Sequence, residues 1–245
     1  MAGDIFLSLV IPAHNEAHRL PETLERVLAF LQRQAYTAEV LVVENGSTDA
    51  TYEIAQAYAA RHSLIQVLRE PRRGKGLAVR RGMLAARGAY RFMADADLSM
   101  PIEELPRFLP PRLQGYDIAI ASREAPGAVR YHEPAHRHLI GRAFNWMVRL
   151  MALPGLQDTQ CGFKCFRGEV AEEVFRLQTL TGMSFDVEVL FIARRRGYRI
   201  VEVPIPWYFN PDSRVRLVED SLRMAWDLLT IRWNAWRGRY EPPVA

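Results

Sequence analysis

Tyr90-Arg91-Phe92-Met93-Ala94-Asp95-Ala96-Asp97-Leu98-Ser99 is an apolar run that passes without a break into two acids. Read as a strand over Tyr90–Ala94, it ends at a sheet edge in paired carboxylates. Working back toward the N-terminus, three more strands of this kind precede it: Leu7–Ile11, Val40–Val43 and Ile65–Leu68. Helical spacing separates them, with Leu24, Val27, Leu28 and Leu31 in the first interval and Ile54, Ala57 and Tyr58 in the second. Gly76–Ala86 reads as a third helix, rich in small residues. Strands alternating with helices imply right-handed βαβ units, an α/β class with a mostly parallel sheet, helices on both faces, and ligands at the C-terminal ends of the strands.

Toward the C-terminus the pattern loosens. Ile118–Ala121 is a strand, Ser122–Pro134 reads as a long irregular loop, and a helix is expected over Arg137–Leu153. Phe163–Phe166 and Ile200–Val203 read as strands, and Phe185, Val189 and Ile192 mark a helix that ends at Gly197. Leu222, Trp226, Leu229, Trp233 and Trp236 share one helical stripe. The expected organisation is a catalytic domain over 1–215, followed by an amphipathic helix and tail over 216–245.

The 245 residues are 49% hydrophobic and 24% charged, which excludes a disordered tail, a collagen-like fibre and a disulfide-dense mini-domain. A net charge of +4 suits anionic partners but is too small to indicate nucleic acid. Lys75 and Lys164 are the only lysines in a chain otherwise supplied with arginine. No basic leader opens the sequence, and no uncharged stretch is long enough to span a bilayer. Cys161 and Cys165 lack the partners of a zinc site and, four apart on a strand, are too distant to bridge. A cytoplasmic protein with reduced core cysteines is expected.

Paired carboxylates separated by one small residue, as at Asp95 and Asp97, can present oxygens to Mg²⁺ or Mn²⁺ and to a diphosphate that the cation bridges. The same residues also suit a polar turn before a helix, and alone they leave both uses open. Pro12-Ala13-His14-Asn15-Glu16 and Glu44-Asn45-Gly46-Ser47-Thr48-Asp49 end the two preceding strands with polar groups that could hold a base and ribose. The second also reads as a tight turn with a helix cap. Neither a Walker loop nor Gly-x-Gly-x-x-Gly is present, which counts against a kinase, a GTPase and a dinucleotide-binding dehydrogenase.

Together with Gly74-Lys75-Gly76, Val79-Arg80-Arg81-Gly82, Asp158-Thr159-Gln160-Cys161-Gly162-Phe163-Lys164 and Phe185-Asp186-Val187-Glu188, these segments resemble glycosyltransferase family 2 over about residues 5–215. Within it they are similar to the dolichyl-phosphate β-glucosyltransferase and polyprenyl-phosphate sugar synthase branch. The resemblance implies a GT-A fold and an inverting, metal-dependent hexosyltransferase. The donor would be a nucleotide-diphosphate sugar, UDP-glucose by preference, and the acceptor a polyprenyl or dolichyl phosphate. It places Pro12, His14, Glu16, Val43, Asn45 and Lys75 at the nucleoside, Asp95 and Ala96 near the ribose, and the metal on Asp97 with Asp95. Arg123, Lys164 and Arg214 would neutralise phosphate charge, and Asp158 would orient the acceptor or act as a base. Glu188, on an apolar helix, suits a site-facing or a solvent-facing position equally.

A lipid acceptor requires a route to the membrane. Phe144, Met147, Val148 and Met151, widened by Trp146, Leu150 and Leu153, and the C-terminal tryptophans flanked by Arg223, Arg232, Arg237 and Arg239 are the candidate stripes. They suit peripheral binding to an anionic surface, at the inner face of the cell membrane, with core packing or a homodimer interface as the alternative. Arg130, His132, His136, Arg137 and His138 read as a lip for the acceptor phosphate or as a solvated loop. A soluble or polysaccharide hydroxyl acceptor and a non-catalytic sugar-nucleotide binder are the competing functions.

Overall fold

The computed structural model describes residues 4–210 and 217–241, and gives no side-chain description for 135–137, 140 and 217–222. In chain order the elements are β1 (Leu7–Ala13), α1 (Leu20–Leu31), β2 (Ala38–Glu44), α2 (Thr51–Arg61), β3 (Ile65–Arg69), α3 (Lys75–Ala85) and β4 (Tyr90–Ala94). A 3₁₀ helix (Ile102–Phe108), β5 (Ile118–Ser122), β6 (Val129–Tyr131), α4 (Ala135–Met151), β7 (Phe163–Arg167) and α5 (Gly168–Leu177) follow. The chain continues through α6 (Phe185–Arg195), β8 (Ile200–Pro204), β9 (Pro206–Tyr208) and α7 (Leu217–Trp236).

Seven strands form one sheet in the order β3-β2-β1-β4-β7-β5-β8. All neighbours are parallel except β7, which runs antiparallel to both β4 and β5. The alternation of side chains along a strand explains why the sheet is buried on both sides. Leu7, Leu9 and Ile11 of β1 and Val40 and Val42 of β2 pack with α1, α2 and the 3₁₀ helix. Val10, Leu41 and Val43 face the opposite way, into a second core built on α3, α5 and α6 and extended by α4 and α7. The chain steps from β1 outward to β3, then returns to β4 on the other side of β1. That reversal opens a crevice at the C-terminal ends of β1 and β4, the usual ligand position in such sheets.

Two parts of the second half differ from the sequence reading. The stretch Ser122–Pro134 is not wholly irregular, because Val129–Tyr131 forms β6 and pairs in parallel with β9. No element was expected over 168–177, yet α5 forms there. Its buried Val170, Ala171, Val174 and Phe175 carry the helical spacing that could have revealed it.

Beneath the β4 end, Phe92, Phe108 and Phe163 meet edge to face, with ring centroids 4.5–5.5 Å apart. All three are fully buried. Phe163→Ala should therefore lower unfolding free energy by about 3–5 kcal/mol, the range for deleting a buried aromatic ring, as measured by denaturant titration.

Candidate functional site

The acidic stretch lies at the crevice. The Asp95 amide donates to the Gly162 carbonyl at 3.1 Å, and the Asp95 carboxylate occupies the space that a side chain at 162 would take. A Cβ on Gly162 would stand 1.9 Å from Asp95 Oδ2, so only glycine allows this approach. Asp95 Oδ1 accepts from Lys75 Nζ at 2.6 Å. Burial would lower the Lys75 pKa, but the carboxylates of Asp95, Asp186 and Asp97 together outweigh it and the value is pushed up to about 12. Asp97 Oδ1 accepts from the Ser99 amide at 3.0 Å, closing a small turn. Leu98, inside this turn, has φ 44°, a left-handed conformation that strains a non-glycine residue and that tends to occur at functional sites. Thr23 Oγ1 donates to the Ala96 carbonyl at 2.5 Å, so Ala96 contributes through its backbone while its methyl is buried.

Two further ion pairs converge on the same place. Arg123, just past β5, binds Asp158 through Nε at 2.6 Å and Nη2 at 2.9 Å, and its amide also donates to that carboxylate. Burial would raise the Asp158 pKa, but the Arg123 guanidinium brings it down to about 2. Asp158 has no exposed surface, and both of its oxygens accept from Arg123, so it is closed to a substrate hydroxyl. This corrects the general-base expectation: Asp158 orients Arg123, which keeps part of its surface exposed. Lys164 also departs from expectation. It has no exposed surface, and its ammonium donates to the Cys161 carbonyl at 2.6 Å and to Asp186 at 2.5 Å. It acts on the backbone beside Gly162 rather than on a bound phosphate.

At the ends of β1 and β2, Pro12, His14 and Glu16 are half-buried and rim the crevice. His14 Nδ1 lies 2.7 Å from the Asn45 carbonyl, and Asn15 Oδ1 accepts from the Thr48 amide at 2.7 Å, so the two polar segments brace each other. Asn45 does not present a free amide to a base edge. Its Nδ2 donates to the carbonyls of Glu70 and Arg72, and its Oδ1 accepts from the Gly74 amide, which ties down the loop before α3. The Val43 side chain is not at the nucleoside position either. It is fully buried in the core under α3. Glu188 faces neither the crevice nor solvent, and is buried among neutral donors. Arg214 lies outside the described residues, as do the side chains of His136, Arg137 and Leu222.

Burial pushes both cysteine thiols up to about 12, so both are neutral thiols of the core. Among the described residues no cluster of three or more His, Cys, Asp or Glu side chains surrounds a metal position. Asp95 and Asp97 nevertheless form an oxygen-only, partly exposed pair, which is the donor set that Mg²⁺ and Mn²⁺ accept when phosphate and water complete the shell. Lys75, Arg123 and Lys164 are each matched by a carboxylate, and Asp97 has no ion-pair partner among the described residues. A diphosphate entering this crevice would meet Lys75 and Arg123 already paired with carboxylates. Additional positive charge at Asp97 would resolve the imbalance.

On the rim, Arg130 is held by Glu124 at 2.5 Å and Glu133 at 2.6 Å. Trp207 of β9 lies under both Arg123 and Arg130, and the Tyr208 amide donates to the Ser99 carbonyl. The β6–β9 ribbon is thereby anchored to the acidic turn.

The glycosyl transferase family 2 model matches residues 8–175. A dolichyl-phosphate beta-glucosyltransferase of Trichomonas vaginalis is 34% identical, over 94% of this chain and 71% of its own. The Drosophila melanogaster and human proteins of that name are 35% and 32% identical, each over 94% of this chain and 77% of theirs. Among solved structures, glucosyl-3-phosphoglycerate synthase of Mycobacterium tuberculosis, crystallised with Mn²⁺, UDP-glucose and phosphoglyceric acid, superposes with a TM-score of 0.63 at 19% identity. It covers 98% of this chain and 82% of that one. Mannosyl-3-phosphoglycerate synthase of Rubrobacter xylanophilus gives 0.65 at 20% identity, over 98% and 77%. These structures establish the shared GT-A fold.

The Arg123–Asp158 pair should show in acid unfolding. A carboxyl whose pKa is about 2 when folded, against about 4 when unfolded, stabilises the fold above pH 4 and loses that contribution as the pH falls toward 2. The contribution is about 2 kcal/mol. Denaturant titrations should show that loss in the wild type, and Asp158→Asn should lack this part of the pH dependence.

Proposed function

Because the chain belongs to glycosyl transferase family 2, we propose that it moves glucose from UDP-glucose to the phosphate of a polyprenyl or dolichyl lipid, with inversion at the sugar. The observation that carries this reading is the acidic turn at the crevice, where Asp97 has no ion-pair partner among the described residues while Lys75 and Arg123 are each paired with a carboxylate. Relatives at 32–35% identity over nearly the whole chain, named for transfer to dolichyl phosphate, supply the acceptor class.

In this mechanism Pro12, His14 and Glu16 line the nucleoside side, and Lys75 with Asp95 stands at the ribose and diphosphate. Asp97, with Asp95, would hold Mg²⁺ or Mn²⁺, which would supply the charge neutralisation that a departing nucleoside diphosphate needs. Arg123, oriented by Asp158, meets phosphate on the acceptor side with its outward N–H groups. A lipid phosphate is already an anion, so its attack at the sugar needs no proton removed. The sealed position of Asp158 behind Arg123 fits that acceptor, because a hydroxyl would need a base within reach.

The acceptor also requires contact with a membrane, and no helix among the described residues is long and apolar enough to cross one. On α4 the expected stripe of Phe144 and Val148 is buried in the core, with Met147 and Met151 packed against it. Among the described side chains there, the exposed large apolar residues are Leu139, Trp146 and Leu150. On α7, Met224, Leu228 and Ile231 face inward, whereas Trp226, Leu229, Trp233 and Trp236 face outward, Trp236 being 77% exposed. Arg223, Arg232, Arg237 and Arg239 are exposed around them. We assign this face to an anionic membrane surface on the cytoplasmic side, where tryptophan and arginine favour the headgroup region. A homodimer is the competing use of the same face.

Asp97→Ala should abolish transfer of radiolabelled glucose from UDP-glucose into an organic-soluble, mild-acid-labile product while leaving the melting temperature close to wild type. Undiminished transfer by this variant, or in excess chelator, would refute the metal assignment. Vesicle co-sedimentation should rise with anionic lipid and fall at high salt. Trp233→Ser with Trp236→Ser should reduce both sedimentation and transfer to long-chain lipid more than hydrolysis of UDP-glucose. Loss of a dimer without loss of vesicle binding would reassign the face.

A further inference from the structure

The crevice leaves one buried carboxylate without a task. Glu188 lies in the first turn of α6, has no exposed surface and accepts four hydrogen bonds, all from neutral groups. Its Oε2 takes the amides of Thr179 and Leu180 at 3.0 and 2.7 Å. Its Oε1 takes the hydroxyls of Thr179 and Tyr240 at 2.5 and 2.7 Å. Asn234 of α7 donates to the Thr179 hydroxyl at 3.1 Å, so the C-terminal helix closes the network. A carboxylate is costly to bury, and here two of its four bonds hold the 179–180 backbone directly and a third holds the Thr179 side chain.

That backbone presses on the residues either side of Lys75. The Gly76 amide donates to the Thr181 carbonyl at 3.0 Å, and Gln178 Nε2 donates to the carbonyls of Gly76 and Leu180 at 2.9 and 2.7 Å. A Cβ on Gly74 would stand 2.5 Å from the Thr181 oxygen, and one on Gly76 would stand 2.8 Å from the Leu180 oxygen. The glycines of Gly74-Lys75-Gly76 therefore fit a carbonyl wall built by the 180–181 segment. Lys75, between them, reaches Asp95 from a backbone that this wall holds.

We propose that Glu188 is a positioning residue for Lys75: it locks the 178–181 segment, which seats the start of α3 and aims the ammonium at the nucleotide position. The proposal rests on the reading above that Lys75 serves the nucleotide sugar. It predicts a particular rescue. In Glu188→Gln, the amide oxygen can keep both backbone N–H bonds while the Thr179 and Tyr240 hydroxyls turn to accept from the new NH₂. Glu188→Ala removes every acceptor and releases the segment.

The test is UDP affinity by calorimetry in the presence of Mn²⁺, with melting temperature followed in parallel. Lys75→Met should weaken UDP binding about tenfold, and Glu188→Ala about three- to tenfold. The double variant should bind within about twofold of Lys75→Met alone, and Glu188→Gln within about twofold of wild type. If Glu188→Ala does not fold, Gln178→Ala cuts the next link and should show the same non-additivity with Lys75→Met. Losses that add fully, or a Glu188→Gln defect equal to that of Glu188→Ala, would overturn the positioning role while leaving Lys75 at the nucleotide. A Lys75→Met protein with unchanged UDP affinity would instead remove Lys75 from the nucleotide site, and the proposal with it.

Discussion

The antiparallel insertion of β7 between β4 and β5 is the constraint on which the site depends. In a sheet that is otherwise parallel, only a strand running the other way begins where its neighbours end. The start of β7 therefore brings Cys161, Gly162 and Phe163 to the C-terminal ends of β4 and β5. Asp158, a few residues earlier, meets Arg123 as it leaves β5, and Gly162 meets Asp95 as it leaves β4. Three segments distant in sequence become one crevice wall through backbone pairing. The missing side chain of Gly162 decides how close they come.

Charge is distributed over that wall in matched pairs. Lys75 with Asp95, Arg123 with Asp158 and Lys164 with Asp186 each satisfy burial locally, because an unpaired ion in this environment would cost several kcal/mol. The pairs differ in accessibility. Lys164 and Asp186 are sealed and support the backbone, whereas Lys75, Asp95 and Arg123 keep exposed surface and can exchange partners when a charged ligand arrives. Asp97 makes no ion pair among the described residues, which is the feature that the proposed metal role draws on.

The C-terminal helix serves two environments at once. Its inner face extends the second core and reaches the site's supports, through Asp227 to Ser184 and through Asn234 to Thr179. Its outer face carries tryptophans, one of which, Trp233, is stacked under Arg237 at 4.7 Å. An element with a face in the core and a face outside would transmit its placement to the 178–181 segment without any contact with the substrate.

The sequence by itself determined the α/β class, the first four strands, the intervening helices and the acidic turn at the end of the fourth, because local periodicity and turn chemistry specify such features within a few residues. Resemblance to the family, carried by motifs in the sequence, also singled out Lys75, Arg123, Asp158 and Lys164. Only the tertiary structure decided what those side chains touch. That Lys164 is sealed, Asn45 is spent on a loop, Val43 is buried under α3 and Asp158 is closed off behind Arg123 follows from contacts between residues some 20 to 40 positions apart. The outward face of α7 and the inward stripe of α4 were the same pattern in sequence. Periodicity reports that a helix has an apolar side, and packing against the rest of the chain alone determines which side is left uncovered.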